Sequence, residues 1–165
     1  MNYIKDIESP VGTLTLASDG QSLTGLWIKN QKYYGLGIDE PSKSIDLPVF
    51  AETKRWLDLY FSGTNPDFCP PLNPKGTEFR QEIWKLLTQI PYGQTVTYGQ
   101  LSQMMKENGL KSSPQAVGGA VGHNPISIII PCHRVLGSDG TLTGYAGGLE
   151  NKMKFLELEN IKYEK

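Results

Sequence analysis

The sequence predicts an α+β fold: a small amino-terminal domain of antiparallel sheet and helix, then a mostly helical domain with a helix-turn-helix and a buried cysteine segment. Three observations predict it. Residues 1 to about 30 alternate apolar and polar side chains as strands do, Leu14 and Leu16 against Thr13 and Thr15. Residues 64–75 hold four prolines and read as a linker. Beyond them, apolar residues recur at helical spacing in one window after another. The expected divisions are therefore 1–63, the linker 64–75, and 76–165.

Asp19-Gly20 is a hairpin signal leading into a second strand-like run with Leu23 and Trp27, and Pro10 with Gly12 marks an earlier turn. Residues 31–48 are rich in turn formers and yield no element. Pro48 opens a helix whose apolar residues are Val49, Phe50, Trp56, Leu57, Tyr60 and Phe61, and Gly63 ends it. Nothing in this first domain looks catalytic, and a structural role is expected. Cys69, in the linker beside Phe68, has no neighbouring acid or base and reads as unreactive.

Thr77 caps a helix bearing Phe79, Ile83, Trp84, Leu86, Leu87 and Ile90, which stops at Pro91. Two short helices follow. Thr97-Tyr98-Gly99-Gln100 fits a capping box, with Leu101, Met104 and Met105 on the apolar face and Asn108-Gly109 as the break. Ser113-Pro114 restarts a helix, serine as cap and proline in the first turn. That second helix, Gln115 to Val121, is poor in side chains, although each glycine costs about 1 kcal/mol relative to alanine. Small residues let another backbone approach closely. The partner is either the protein's own core or a nucleic-acid backbone, and the two helices alone leave that open.

Ile126-Ser127-Ile128-Ile129-Ile130, stopped by Pro131, reads as a buried extended segment. It delivers Cys132, His133 and Arg134. A thiolate is the reactive form of cysteine, and a neighbouring imidazole or cation generates it near neutral pH. An inert buried thiol is the competing reading. Gly137 to Gly140 forms a turn, and the loop Thr143 to Gly148 is glycine-rich without the ending of a phosphate loop. The final helix, Leu149 to about Asn160, has an apolar stripe of Leu149, Met153, Phe155, Leu156 and Leu158. Glu159 falls on its inward face, either reaching back to water or held ionised by a histidine.

The chain of 165 residues has 38% hydrophobic and 20% charged residues, an ordinary globular balance. Two cysteines without a CxxC pair and two histidines argue against a disulfide framework or a zinc centre, and no metal is expected. No segment resembles a signal peptide or a membrane span, so a cytoplasmic protein that does not engage the membrane is expected. Net charge of -1 and a pI near 6.1 argue against strong non-specific binding to nucleic acid, though not against a local basic face.

Ile130-Pro131-Cys132-His133-Arg134-Val135, together with Ala116-Val117-Gly118-Gly119, Asn124-Pro125, Gly144-Tyr145-Ala146-Gly147-Gly148 and the closing helix with its glutamate, closely resembles the O6-alkylguanine-DNA alkyltransferases. The resemblance covers residues 76–159 closely and the amino-terminal part loosely. It implies a monomeric DNA-repair protein without a cofactor. Such a protein binds double-stranded DNA through the minor groove, flips out an O6-alkylguanine and takes the alkyl group once, irreversibly, onto its own cysteine. O4-alkylthymine is a second candidate substrate.

By the same resemblance Cys132 would be the nucleophile, His133 its base through a water, and Glu159 the group that orients the imidazole. Asn124 would be a hinge tying the turn after the second short helix to the cysteine segment. Tyr98 would donate to a ring nitrogen of guanine, Tyr145 would wall the alkyl pocket, and the backbone of Val135 and Ala146, with Gly147, would read the base. Thr97, Ser113, Gln115, Ala116, Gly119 and Arg134 would face DNA. The chain departs from the family pattern at Gln115, where many members carry arginine, and at Ala146, where some carry serine. A non-reactive lesion-binding relative, a helix-turn-helix regulator and a Cys-His hydrolase are the rival classes. The first lacks the cysteine, the second leaves the Cys-His-Glu set unexplained, and the third needs an oxyanion site.

Overall fold

The computed structural model describes residues 2–29, 31–35 and 42–164. It separates into two compact units, Met1–Lys75 with Pro125–Ile129, and Gly76–Asn124 with Ile130–Lys165.

The first unit holds a sheet of β1 (Asn2–Ser9), β2 (Gly12–Ser18), β3 (Leu23–Ile28) and β4 (Ser42–Ser44), in the order β3-β2-β1-β4. The two hairpins are antiparallel as expected, while β4 pairs in parallel with β1. Three polar residues in a row have no strand periodicity, which is why β4 is invisible in the sequence. The alternation expected of β2 is also modified. Leu14 to Ser18 are all buried, because β2 lies between two strands and its polar face is roofed. On that face Thr15 Oγ1 donates to Asp6 Oδ1 (2.7 Å) and lies 2.6 Å from the Tyr34 hydroxyl.

The free edge of β3 is covered by two chain segments. Leu23 N donates to Pro71 O and Asn73 N to Leu23 O, so the proline-rich stretch packs with this unit. Leu26 N donates to Pro125 O and Ser127 N to Leu26 O. Helix α1 (Pro48–Phe61) buries Val49, Phe50, Trp56, Leu57 and Tyr60, with Trp56 and Tyr60 stacked at 5.3 Å, and gives way to Gly63 at φ 89°.

The segment ahead of the cysteine is buried, as predicted, but it turns where an extended strand was expected. Ile129 N donates to Ser127 O (2.8 Å) across Ile128, whose φ is 73°. This is a three-residue turn of the rarer, positive-φ hand, strained for a β-branched residue. The apolar pattern reports burial and cannot distinguish the two conformations.

In the second unit, α2 (Glu78–Thr88) starts at Thr77, whose hydroxyl accepts from Arg80 N, and Trp84 Nε1 donates to Ala120 O at 2.8 Å. The predicted capping box of α3 (Tyr98–Glu107) is formed: Gln100 N donates to Thr97 Oγ1 (3.1 Å) and Thr97 N to Gln100 Oε1 (2.8 Å). Ser113 caps α4 (Pro114–Gly122) through Ala116 N. A two-stranded parallel ribbon, β5 (Val96–Thr97) with β6 (Val135–Leu136), was not expected, being too short for any periodicity. The last helix is α5 (Leu149–Leu158), with Glu159 as its C-cap. Its predicted stripe holds at Phe155 and Leu156, both fully buried, but Leu149 is 48% exposed and Lys152, outside the stripe, is fully buried.

The glycines of α4 answer the question the sequence left open. A Cβ at Gly118, Gly119 or Gly122 would meet no atom within 4 Å, so close packing inside the protein does not demand them. Gly76 is the opposite case, since a Cβ there would stand 2.4 Å from the Trp84 ring. Trp84 cannot swing away without losing its bond to Ala120. Gly76→Ala should therefore lower the unfolding free energy by roughly 1–3 kcal/mol, the cost of overpacking; urea unfolding followed by tryptophan fluorescence measures it.

Candidate active site

Pro131, at φ -81° and ψ 65°, turns the chain so that Cys132 N donates to Ile130 O (2.8 Å), and a single 3-10 turn then runs from Cys132 to Arg134. This places three consecutive side chains inside the second unit. Cys132 is 4% exposed, and burial pushes its thiol above the usual cysteine range. Hydrogen bonds from the Asn124 and Tyr145 side chains and the nearby charge of Lys152 work in the opposite direction. At rest the sulfur is a thiol; once ionised it has two hydrogen bonds and a cation to stabilise it.

Asn124 ends the turn after α4, and its Nδ2 donates to Ile130 O at 2.8 Å. It thus ties that turn to the residue just before Pro131. His133 is buried, which lowers its pKa against the opposing pull of Glu159, so the resting imidazole is neutral. Its Nε2 lies 2.6 Å from Glu159 Oε2. Donating there, the ring keeps Nδ1 as its acceptor, which is the tautomer a base requires.

Glu159 is 3% exposed and takes more than the histidine. Its Oε1 accepts from Arg134 Nε (2.8 Å) and from Gly93 N (3.0 Å). Burial opposes ionisation of this carboxyl, but the hydrogen bonds of His133 and Arg134 and the charge of Arg134 outweigh it and hold the pKa down to about 2. Here the structure corrects an expectation. Arg134 was placed against DNA, yet it is 8% exposed, with Nε on Glu159 and Nη1 on Ile90 O at 2.7 Å. A buried carboxylate is a stronger claim on a guanidinium than a solvated phosphate.

Two groups that sequence reasoning passed over complete the site. Lys152 Nζ donates to Val135 O (2.7 Å) and reaches Thr143 Oγ1 at 3.2 Å. Burial pushes its pKa down to about 8, while Cys132 pulls it up. Thr143 Oγ1 in turn lies 2.8 Å from the Tyr98 hydroxyl at the start of α3. Spacing held the signal for Lys152, which stands three and four residues before Phe155 and Leu156, on the face that leads to Glu159. Thr143 left no such trace. Tyr145 packs edge-on to Phe155, with centroids 6.2 Å apart, and Phe155 also meets His133 at 5.3 Å. Ala146 and Gly147 follow in the loop, Gly147 O accepting from Asn151.

Cys132, His133, Glu159, Asn124, Tyr98, Tyr145 and Val135 are thus gathered in one unit. Gln115, Ala116 and Gly119 sit apart from them on the exposed side of α4, while Thr97 and Ser113 spend their hydroxyls capping their own helices. Among the described residues no group of His, Cys, Asp or Glu could hold a metal ion, and no helix is long and apolar enough to cross a membrane.

Because its pKa is depressed, Glu159 stabilises the fold above the ordinary glutamate value of about 4.3, and that contribution is lost as pH falls toward about 2. Removing Arg134 leaves the carboxylate short of a partner. Arg134→Met should lower stability at neutral pH by roughly 3 kcal/mol and move the acid unfolding midpoint upward. It should leave the salt dependence of DNA binding unchanged, whereas loss of a phosphate contact would flatten it by about one unit of slope.

The two family models that match this chain are those of 6-O-methylguanine DNA methyltransferase, the ribonuclease-like domain over residues 2–74 and the DNA binding domain over residues 78–161. The methylated-DNA–protein-cysteine methyltransferase of Haemophilus influenzae is 48% identical over 164 residues, covering 98% of this chain and 88% of that one. The Mycobacterium tuberculosis protein of the same name is 43% identical over 165 residues, covering 98% and 94%. Among solved structures, the M. tuberculosis OGT in complex with DNA superposes with a TM-score of 0.82 at 41% identity, over 95% of this chain and 92% of that one. The second unit's buried Cys-His-Glu array and these likenesses have one reading: the chain belongs to the methylated-DNA–protein-cysteine methyltransferase family.

Proposed function

We propose that this protein repairs alkylated DNA by a single, irreversible transfer to Cys132, with each surrounding residue acting as follows. Alkyl transfer from O6-alkylguanine to a protein cysteine is the activity of the family. The observation that carries the assignment of roles is the buried thiol of Cys132 beside a cation, next to an imidazole whose tautomer a carboxylate fixes.

His133 takes the thiol proton through a water, and Glu159 steadies the resulting imidazolium. The thiolate pair attacks the alkyl carbon in line, the carbon–O6 bond breaks, and its electrons pass into the purine. Tyr98 passes its proton to a ring nitrogen of that purine, so the leaving group departs as neutral guanine, and the thiol proton held on His133 returns through water to the phenolate of Tyr98. Tyr145 walls the alkyl group. The backbone of Val135, Ala146 and Gly147 reads the base edge. Asn124 holds the Cys132 segment through Ile130 O. The step balances without a cofactor. O4-alkylthymine would present the same oxygen-bound carbon and is the second substrate to test.

DNA approaches α4 from the minor-groove side, where Gln115, Ala116 and Gly119 are exposed and the glycines leave open space. Thr97 and Ser113, at the starts of α3 and α4, fix the backbone amides that face the phosphates. Gln115 stands where many relatives carry arginine. It is shorter and neutral, so it leaves the base-flipping step with less help. The protein acts as a monomer in the cytoplasm, where reducing conditions keep a thiol available.

The assay that tests this reading is intact mass after mixing with duplex DNA containing O6-methylguanine. Wild type and Cys69→Ala should gain one methyl group per chain and then stop. Cys132→Ala should bind the lesion and gain nothing. Methylation of Cys132→Ala, or repeated turnover by wild type, would overturn the assignment.

The glycines of α4 give a second test. Gly119→Ala meets no atom in the protein and removes backbone freedom, so it should stabilise the fold by about 0.5–1 kcal/mol. The same methyl group would obstruct the approach of DNA, and affinity for duplex should fall while transfer from a free alkylguanine base is unchanged. Unaltered duplex affinity would remove α4 from the interface.

A further inference from the structure

Counting hydrogens along the row Lys152, Thr143, Tyr98 gives that row a direction. A charged Lys152 Nζ has three hydrogens and no lone pair. It points at Val135 O (2.7 Å), Thr143 Oγ1 (3.2 Å) and Thr143 O (3.4 Å). Thr143 Oγ1 is therefore an acceptor toward Lys152. Its own hydrogen has the Tyr98 oxygen, 2.8 Å away, as a partner. With Thr143 donating, the phenol oxygen of Tyr98 accepts, and the phenol hydrogen is left for an acceptor outside the row. With the opposite direction, the hydrogen of Thr143 would lose the partner that the geometry offers it, and Tyr98 would spend its donor inside the protein.

We propose that Thr143 and Lys152 are positioning residues that set the hydrogen-bond polarity of Tyr98, keeping its O–H available as a donor to the ring nitrogen of the flipped guanine. The proposal rests on the reading of Tyr98 given above and adds to it what makes a phenol, able to donate or accept, present only its donor. Lys152 supplies the charge that starts the row, and Thr143 carries the direction. The same lysine reaches Val135 O, so the cation organises both the base-reading backbone and the donor from a single buried point. Neither residue needs to touch substrate.

Single-turnover transfer is to be measured on two duplexes, one with O6-methylguanine and one with its 3-deaza analogue, in which carbon replaces the ring nitrogen on the minor-groove edge. Thr143→Val keeps the shape and removes the hydroxyl. It should slow the guanine substrate about tenfold, the rate equivalent of one hydrogen bond, and leave the deaza substrate at the wild-type rate for that substrate. Thr143→Ala should repeat the pattern, and Thr143→Ser should recover most of the loss. Tyr98→Phe should show the same selectivity, and the Thr143→Val change should add little to it. Equal slowing on both duplexes would mean that Thr143 merely supports the loop and would overturn the proposal. A wild-type rate for Thr143→Val beside a slow Tyr98→Phe would overturn it while sparing the reading of Tyr98. A Tyr98→Phe protein as fast as wild type would refute that reading itself.

Discussion

A buried carboxylate governs the second unit. Glu159 receives the imidazole of His133, the guanidinium of Arg134 and the amide of Gly93 in a place almost without solvent. The donors come from two distant parts of the chain, Gly93 from the turn after α2 and His133 with Arg134 from the cysteine turn, and meet the glutamate at the end of α5. An isolated charge at such depth would cost several kcal/mol, so the three donors cannot be assembled one at a time without penalty. Closing the fold and orienting the imidazole are consequently one event. That explains how a residue at the tail of the last helix comes to control a histidine 26 positions earlier.

The same depth gives the thiol its character. Burial holds Cys132 protonated, which on the proposed reading protects a nucleophile that is spent only once. The groups that favour the thiolate are already in place in Asn124, Tyr145 and Lys152, so ionisation needs a base and little rearrangement. Reactivity is thus latent in the resting protein and tied to the arrival of a substrate that can bring the thiolate pair into use.

The sequence disclosed the elements whose signals are local. Thr97 and Gln100, Ser113 and Pro114, and Thr77 mark helix starts through bonds spanning three or four residues, and each is found as read. The Cys-His pair was legible because the chain has only two residues of each type, and Glu159 because it falls on the inward face of the last helix and fits the family pattern. What escaped depends on partners distant in sequence. Arg134 looks like a surface cation until Glu159 and Ile90 are seen beside it. Lys152 is of a type that belongs outside and so drew no notice, although its spacing matched the buried face. β4, β5 and β6 are too short to carry a period. Ile128 has the composition of a strand residue and the backbone of a turn, a conflict that only hydrogen bonding reveals.

The covering of β3 has a further consequence, on the ribosome. Part of that edge is closed by Pro71 to Asn73, but the outward amide and carbonyl of Leu26 pair with Pro125 and Ser127. A nascent chain emerges amino-terminus first, so the sheet leaves the exit tunnel with open amide and carbonyl groups at this strand. They stay open until about three-quarters of the polypeptide has been made. An unpaired edge is the usual route to wrong pairing between chains. During that interval α2, α3 and α4 have to emerge before the covering segment is available. Slow translation through residues 76–124 would prolong the exposure, and neighbouring ribosomes on one message would place several such edges within reach of each other.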